Sequence, residues 1–371
     1  MSLTKTAKVT RRIVATTVIL IALLFVGRIG WDVGLTVYHH FFPPEKPPPE
    51  TEFGKINLPQ ISGVNIDISK WNFELDTPTG RLPHTPDRLP VFPLQRPGST
   101  PLTELKAEGL ASSLGFTSKP QTLSAAKYLW KESERTLTMN VVSQAFILES
   151  DANILEIRLS KGQAPAKRQA ESLVLNYLGQ LALANETLKS ARKEFSYIDI
   201  ENGNLKEVES LSQARLTRVD LFKVIAVDGK NYDVFGPNPY QGLTYALISG
   251  INTNQFYSRI PYARYQNWEI KTDEGSTYPL ITATQAWKNL EKAKATLTYL
   301  KPQKAGVYQK PSPPEVQKVR IQEIQLAYFE SENPQGYLVP IYMFKGLAEV
   351  KGQTPWEIIF YTHAVSEEWR K

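Results

Sequence analysis

The sequence predicts an α+β protein: an N-terminal transmembrane helix, then an ectodomain of repeated helix plus antiparallel β-meander modules. Three observations predict it. Residues Ile13 to Gly27 carry no charge, residues 41–50 read "FFPPEKPPPE", and three amphipathic helical patterns are each followed by strand-like runs with polar turns.

The apolar run lies in "RRIVATTVILIALLFVGRIGWDVGLTVYHH". Its helical length, roughly 22 Å at about 1.5 Å per residue, falls short of a ~30 Å hydrocarbon core. Arg28 and Asp32, four residues apart, pair on one helix face and extend it, and Trp31 and Tyr38 suit the interface. The expected helix covers 13–38, with the lipid bilayer as its partner. Lys5, Lys8, Arg11 and Arg12 precede it, so residues 1–12 are expected in the cytoplasm. A cleaved signal peptide fits less well, because Gly27-Arg28-Ile29-Gly30-Trp31 offers no small-x-small cleavage site. The chain therefore reads as a single-pass protein of the cell membrane with an extracytoplasmic C-terminal domain. Gly30 and Gly34 form a small-xxx-small pair suited to helix pairing, hence to a homo-oligomer. The prolines that follow make 39–55 a stiff, extended spacer.

Beyond the spacer, three modules are expected at 56–160, 161–275 and 276–371. "VNIDISKWNFELDTPTGRLP" alternates as paired strands with a turn near Ser69-Lys70, and 77–100 reads as irregular chain. The first helix, "TPLTELKAEGLASSLGF", has Thr100 as N-cap and Pro101 at its first position. The second is "APAKRQAESLVLNYLGQLAL". The third, "TATQAWKNLEKAKATL", opens with a Thr282-x-x-Gln285 capping box. Strand-like runs follow each: "KYLW", "TLTMNVVSQAFIL" and "NILEIRL"; then "FSYIDI" and "ARLTRVDLFKVIAV" around the turn Glu201-Asn202-Gly203-Asn204; then "IQEIQLAYFE", "YLVPIYMFKGLAEV" and "WEIIFYTHAV". Pro340, inside a run, belongs at an edge or bulge.

"AYFESENPQGYLVPIYMFKG" after an amphipathic helix resembles the PepSY-type extracytoplasmic module. It is also similar to the anchored regulators of the Gram-positive cell-wall two-component system. The resemblance covers residues 280–365, with an echo at 101–158, and "LDTPTGRLP" is similar to a stretch in single-pass bacterial proteins. It implies inhibition, sensing or scaffolding by contact with an envelope or membrane protein. It carries no functional residue.

Composition narrows the chemistry. The 371 residues contain no cysteine, which excludes disulfides, thiolate metal sites and a cysteine nucleophile. The net charge of +6 is spread without a basic stripe, so no nucleic-acid partner is expected. No phosphate-binding, hydrolase-elbow or zinc-protease spacing is present, so no enzyme activity, metal or cofactor is expected. His39-His40 point about 100° apart on a helix, a poor chelate. His363 takes the solvent parity of its strand, and Glu74 and Asp76 read as a solvated strand face. The remaining lead is aromatic. "NPYQGLTYALISGINTNQFYSRIPYARYQNWEI" interleaves tyrosines with arginines, the residues that dominate interface hot spots. Core packing explains several of them. Tyr257, Tyr262, Arg264, Tyr265 and Trp268 are the partner-binding candidates. The expectation is a non-catalytic binding or regulatory protein acting by protein contact, with a structural role in an envelope assembly or a glycan-directed enzyme as alternatives.

Overall fold

The computed structural model describes residues 48–95, 97–160, 162–251, 256–303 and 305–371, together with 23–28, 30, 31 and 34. Two compact units divide the chain, Met1–Pro48 and Pro49–Lys371. In the first, residues 23–28, 30, 31 and 34 are helical, and Leu23, Leu24, Phe25, Val26 and Trp31 are exposed. Among the described residues no helix is long and apolar enough to cross a membrane. This corrects the transmembrane helix over 13–38 and the single-pass location that was built on it. The physical reason lies in the run itself, which meets Arg28 after too few apolar residues to span a hydrocarbon core. The rest of 13–38, with His39, His40 and residues 41–47, lies outside the described residues. From Glu50 onward the chain is tied down: the Glu50 and Thr51 amides donate to Oγ1 and the carbonyl of Thr277 at 3.0 and 3.1 Å.

The second unit begins with β1 (Asn72–Leu75), β2 (Arg88–Gln95) and α1 (Thr103–Ser113). A meander follows: β3 (Gln121–Ser124), β4 (Lys127–Lys131), β5 (Arg135–Asn140) and β6 (Phe146–Ser150). Three helices come next, α2 (Ala152–Arg158), α3 (Lys167–Gln180) and α4 (Glu186–Lys189). Then come β7 (Arg192–Glu201), β8 (Asn204–Val208), β9 (Leu216–Phe222), β10 (Val224–Val227), β11 (Lys230–Phe235) and β12 (Thr244–Ser249). β13 (Tyr262–Tyr265), β14 (Glu269–Ile270) and β15 (Ser276–Pro279) lead to α5 (Ala283–Glu291). The chain closes with β16 (Thr296–Pro302), β17 (Val316–Phe329), β18 (Tyr337–Val350) and β19 (Trp356–His363).

The fold is mostly β-sheet, which corrects the expected α+β array of repeated modules. Among the described residues the strands form two large sheets. One, of nine strands, runs β3-β4-β5-β6-β13-β12-β9-β7-β8. The other, of ten, has the path β10-β11-β17-β18-β19-β16, with β1 parallel to β17, and with β14 and β15 joined through β2 to β18. β6 pairs with β13, bringing Phe146 opposite Tyr265 across more than a hundred residues. Strand alternation dictates which side chains are buried, but not which strand lies next to which, and pairing over long range is decided by the whole core.

Each sheet is buried on two faces. On one face of the ten-stranded sheet, Tyr342, Phe344, Ile358 and Phe360 pack with Ala286 and Leu290 of α5. Its other face presents Ala327, Phe329, Ile341, Met343, Ile359 and Tyr361, joined by Phe222 from β9 of the second sheet. In the nine-stranded sheet, α1 and α3 cover Val219, Leu221 and Ala246. On its opposite face α2 and its C-cap place Leu155 and Leu159 against Ile198, Ile200, Leu216 and Leu247.

Three local expectations change. "NILEIRL" is helix α2, not strand, because the Asp151 carboxylate caps it, accepting from the amides of Asn153 and Ile154 at 2.9 and 3.2 Å. Residues 88–95 are a strand despite Pro90 and Pro93: Leu89, Val91, Phe92 and Leu94 are buried, and a proline carbonyl still accepts. The Tyr328 hydroxyl and the Lys271 amide use those two carbonyls, at 2.8 and 3.0 Å. Helix α1 starts at Thr103, with no side-chain cap from Thr100. At α5 the Thr282–Gln285 capping box is formed, with Thr282 Oγ1 accepting from the Gln285 amide at 3.2 Å.

Candidate functional site

A cleft of about 420 Å³ opens between the two sheets where their shared apolar layer ends. Period-two alternation builds one wall. On β17 the series Glu323, Gln325, Ala327, Phe329 points to a single face, and on β18 the series Lys345, Met343, Ile341 does the same. β19 adds Glu357, Ile359 and Tyr361. Each series is apolar and buried at one end and charged at the other. The register sets Glu323 opposite Lys345 and Gln325 opposite Met343, so the charged ends lie side by side. The second wall comes from β7, β8 and β9, with Arg192, Glu194, Glu207 and Asp220. Phe222, Phe235, Tyr240 and Tyr299 form the aromatic floor.

The floor is held by a polar network. Tyr240 stacks edge-on against Tyr299, with ring centres 4.8 Å apart, and its hydroxyl donates to Glu357 Oε1. Lys345 Nζ sits 3.1 Å from the same oxygen and 5.3 Å from the Tyr240 ring centre. Burial, and then the Glu357 hydrogen bond, push the Tyr240 phenol far above its usual range. Burial also raises Tyr299, helped by the Glu357 charge. Both phenols stay neutral, and Tyr240 is therefore a fixed donor.

A strap of chain, residues 305–309, closes one side. Gly306 is needed there, because a Cβ at that position would come within 2.7 Å of Glu207 Cβ. The Val307 amide donates to Glu207 Oε2 at 3.2 Å, and Lys301 Nζ donates to the carbonyls of Gly306 and Val307 at 3.2 and 3.0 Å. Burial lowers the Lys301 ammonium pKa, with Glu207 opposing that shift. Behind the strap, buried Arg218 binds Asp220 through two bonds of 2.6 and 2.7 Å and donates to the Tyr308 hydroxyl at 2.8 Å. Its guanidinium lies 3.8 Å from the centre of the Tyr245 ring. The Gly242 amide completes the Asp220 carboxylate at 2.8 Å. This ion pair is satisfied on both sides, as a buried pair must be.

Charge in the cleft is uneven. Five carboxylates line it against two cations, Arg192 and Lys345. Arg192 is held by Glu194 and, at 3.0 Å, by Asp233, while Lys345 is held by Glu357. Arg218 neutralises Asp220. Among the described residues Glu207 and Glu323 form no salt bridge, and they stand on opposite walls.

The partner-binding candidates read from the sequence lie elsewhere. Tyr262 and Arg264 share a face of β13, half-buried, with the Tyr262 hydroxyl donating to the Ser150 carbonyl at 2.7 Å and Arg264 2.9 Å from Glu332. Burial pushes the Tyr262 phenol up to about 12. Tyr265 points the opposite way, buried and stacked on Phe146. Trp268 is buried in the ten-stranded sheet's core. Tyr257 belongs to the helical turn Phe256–Arg259, and its side chain lies outside the described residues. Of the aromatic stretch that drew attention, Tyr240 is the member that reaches the cleft. Glu207, Glu323, Lys345 and Glu357 were missed. The signal for the last two is present in the sequence: each is a charge at the parity that is otherwise buried, after Met343 and before Ile359. His363, expected on the solvent face, is half-buried, and burial with the Arg370 charge pushes its pKa down to about 4. Glu74 and Asp76 are exposed, 2.5 Å from Lys318 and 3.9 Å from Arg320. Among the described residues no group of His, Cys, Asp and Glu could hold a metal ion.

No family profile matches the chain, and no curated protein does. A solved structure of an uncharacterized protein from Eubacterium rectale aligns over 78% of this chain and 86% of that one, with 12% identity and a TM-score of 0.35. So distant a likeness carries no argument about fold or function.

Proposed function

We propose that this chain is a non-catalytic binding protein that acts by protein contact, with the cleft between its two sheets as the docking site. The observation that supports this reading is the cleft itself: its volume is that of a ligand pocket, its floor is aromatic, and most of its charged groups are held in ion pairs, with Glu207 and Glu323 left unpaired among the described residues. Tyrosine floors are favoured in recognition because they offer large, rigid contact area with a polar tip. The catalytic alternative finds less support, since Glu357, Glu194 and Asp220 are each already engaged by a neighbouring cation.

Selection of a random peptide library on the intact protein tests the reading. Two variants, Ala305→Trp on the strap and Gln325→Trp on the wall, fill the cleft from opposite sides. Peptides selected on the wild type should bind both variants at least tenfold more weakly and be recovered uncleaved. Equal binding to all three proteins refutes the cleft as the docking site, and cleavage of the peptides refutes a non-catalytic role.

A further inference from the structure

Resting on that reading, we infer that the cleft's occupant is a lysine- or arginine-bearing segment of a partner protein, its cationic side chain seated between Glu207 and Glu323 over the Tyr240 and Tyr299 rings. Charge complementarity within a shaped cavity selects this guest. The chain as a whole carries a net charge of +6, which disfavours cationic ligands at long range. Against that background, the cleft holds five carboxylates and two cations, and both cations are already paired inside it.

The two carboxylates left over are placed for a shared guest. Glu207 stands on the edge strand β8 and Glu323 on β17, so each sheet contributes one. The Val307 amide orients the Glu207 side chain through Oε2, and among the described residues Oε1 makes no hydrogen bond. Between the walls lies the aromatic floor, which already carries one cation of the lining, Lys345, 5.3 Å from the Tyr240 ring centre; Lys301, outside the lining, approaches the Tyr299 ring centre at 5.5 Å. A cation entering from solvent meets negative charge on both sides and ring faces below, the arrangement that recognises ammonium and guanidinium groups. An acidic or phosphorylated segment would meet repulsion from the same groups. The cleft volume of about 420 Å³, open to solvent, admits a long basic side chain together with the backbone that carries it.

Fluorescence anisotropy with a labelled oligolysine peptide tests this, with oligoglutamate and oligoserine peptides of equal length as controls. The intact protein should bind oligolysine, with affinity that falls as salt rises. Glu207→Gln and Glu323→Gln should each weaken it about tenfold, and the pair about a hundredfold. Removing two exposed charges far from the cleft, Glu367→Gln with Glu368→Gln, should leave affinity within twofold. Circular dichroism melting of the Gln variants, unchanged from wild type, keeps a folding defect from imitating the effect. Equal losses from the two pairs, or no binding of oligolysine, overturn the inference. If the library peptides that depend on an open cleft prove neutral or acidic, the basic-guest inference fails while the docking site stands. If those peptides bind regardless of the cleft-filling tryptophans, the docking site itself fails.

Discussion

Arg218 Nη1 donates to the Tyr308 hydroxyl at 2.8 Å, joining residues 90 positions apart in the chain. The bond ties the strap over the cleft to β9, deep in the other sheet. Arg218 is fully buried, and its other nitrogens are spent on Asp220. The strap, in which Ala305, Val307 and Tyr308 are only half-buried, therefore inherits the rigidity of a buried ion pair.

Tyr308→Phe removes the hydroxyl alone. It should cost about 1 kcal/mol in denaturant unfolding, the net worth of one hydrogen bond. Arg218→Met leaves the Asp220 charge buried without its partner and should cost about 3–5 kcal/mol. A similar cost for the two variants would mean that Arg218 matters chiefly through Tyr308.

Lys223 and Glu330 make a second buried pair, Nζ lying 3.0 and 2.8 Å from the two carboxylate oxygens and 3.2 Å from the Trp268 carbonyl. Lys223→Met or Glu330→Gln alone should each destabilise by about 2–5 kcal/mol. The double variant should cost clearly less than their sum, because neither leaves the other stranded. Additive losses in a double-mutant cycle would show the pair to be uncoupled.

The His363 pKa near 4 gives a pH dependence with a defined sign. The unfolded chain binds the proton near pH 6.5, the folded protein only near 4. His363 thus favours the folded state above the unfolded value, and this contribution is lost as pH falls from about 6.5 to 4. Its size should be roughly 2 kcal/mol, allowing for the ring's partial exposure. His363→Gln should flatten the stability curve in that window, measured by urea unfolding at successive pH values; an unchanged slope assigns the dependence to other groups.

At α5, Thr282→Ala removes one half of the capping box and should cost about 1 kcal/mol, while Thr282→Ser should cost little. Thermal unfolding of the two variants separates the cap from general packing.

Local features of the fold were legible in the sequence, and long-range pairing was not. The capping box at Thr282, the turn at Asn202-Gly203 and the alternation of β17 to β19 are local, and each is set by residues within a few positions. At Gly203 the backbone takes a positive φ of 71°, and a Cβ would come within 2.2 Å of Asn153 Oδ1, so the glycine is fixed by local and tertiary constraint together. The pairing of β6 with β13, or of β2 with β14 and β15, depends on cores assembled from distant segments, which periodicity does not encode. β2 was hidden by Pro90 and Pro93, whose carbonyls carry the bonds that matter. The site was hidden for the same reason as the sheets. Glu207 and Glu323 are ordinary exposed carboxylates in their own strands, and they become a pair only when the sheets face each other. Tyr262, Arg264, Tyr265 and Trp268 stood out by composition, but alternation along β13 sends Tyr265 to the core side, away from Tyr262 and Arg264.

Hydrogen exchange of the intact protein, with and without a peptide selected from the random library, tests the central claim most directly. A cleft-bound peptide should slow exchange in the strap at 305–309, in the 237–242 connection beside Tyr240, and at the charged ends of β17, β18 and β19. Slowed exchange confined to the β13 face that carries Tyr262 and Arg264, with the strap unchanged, would contradict it.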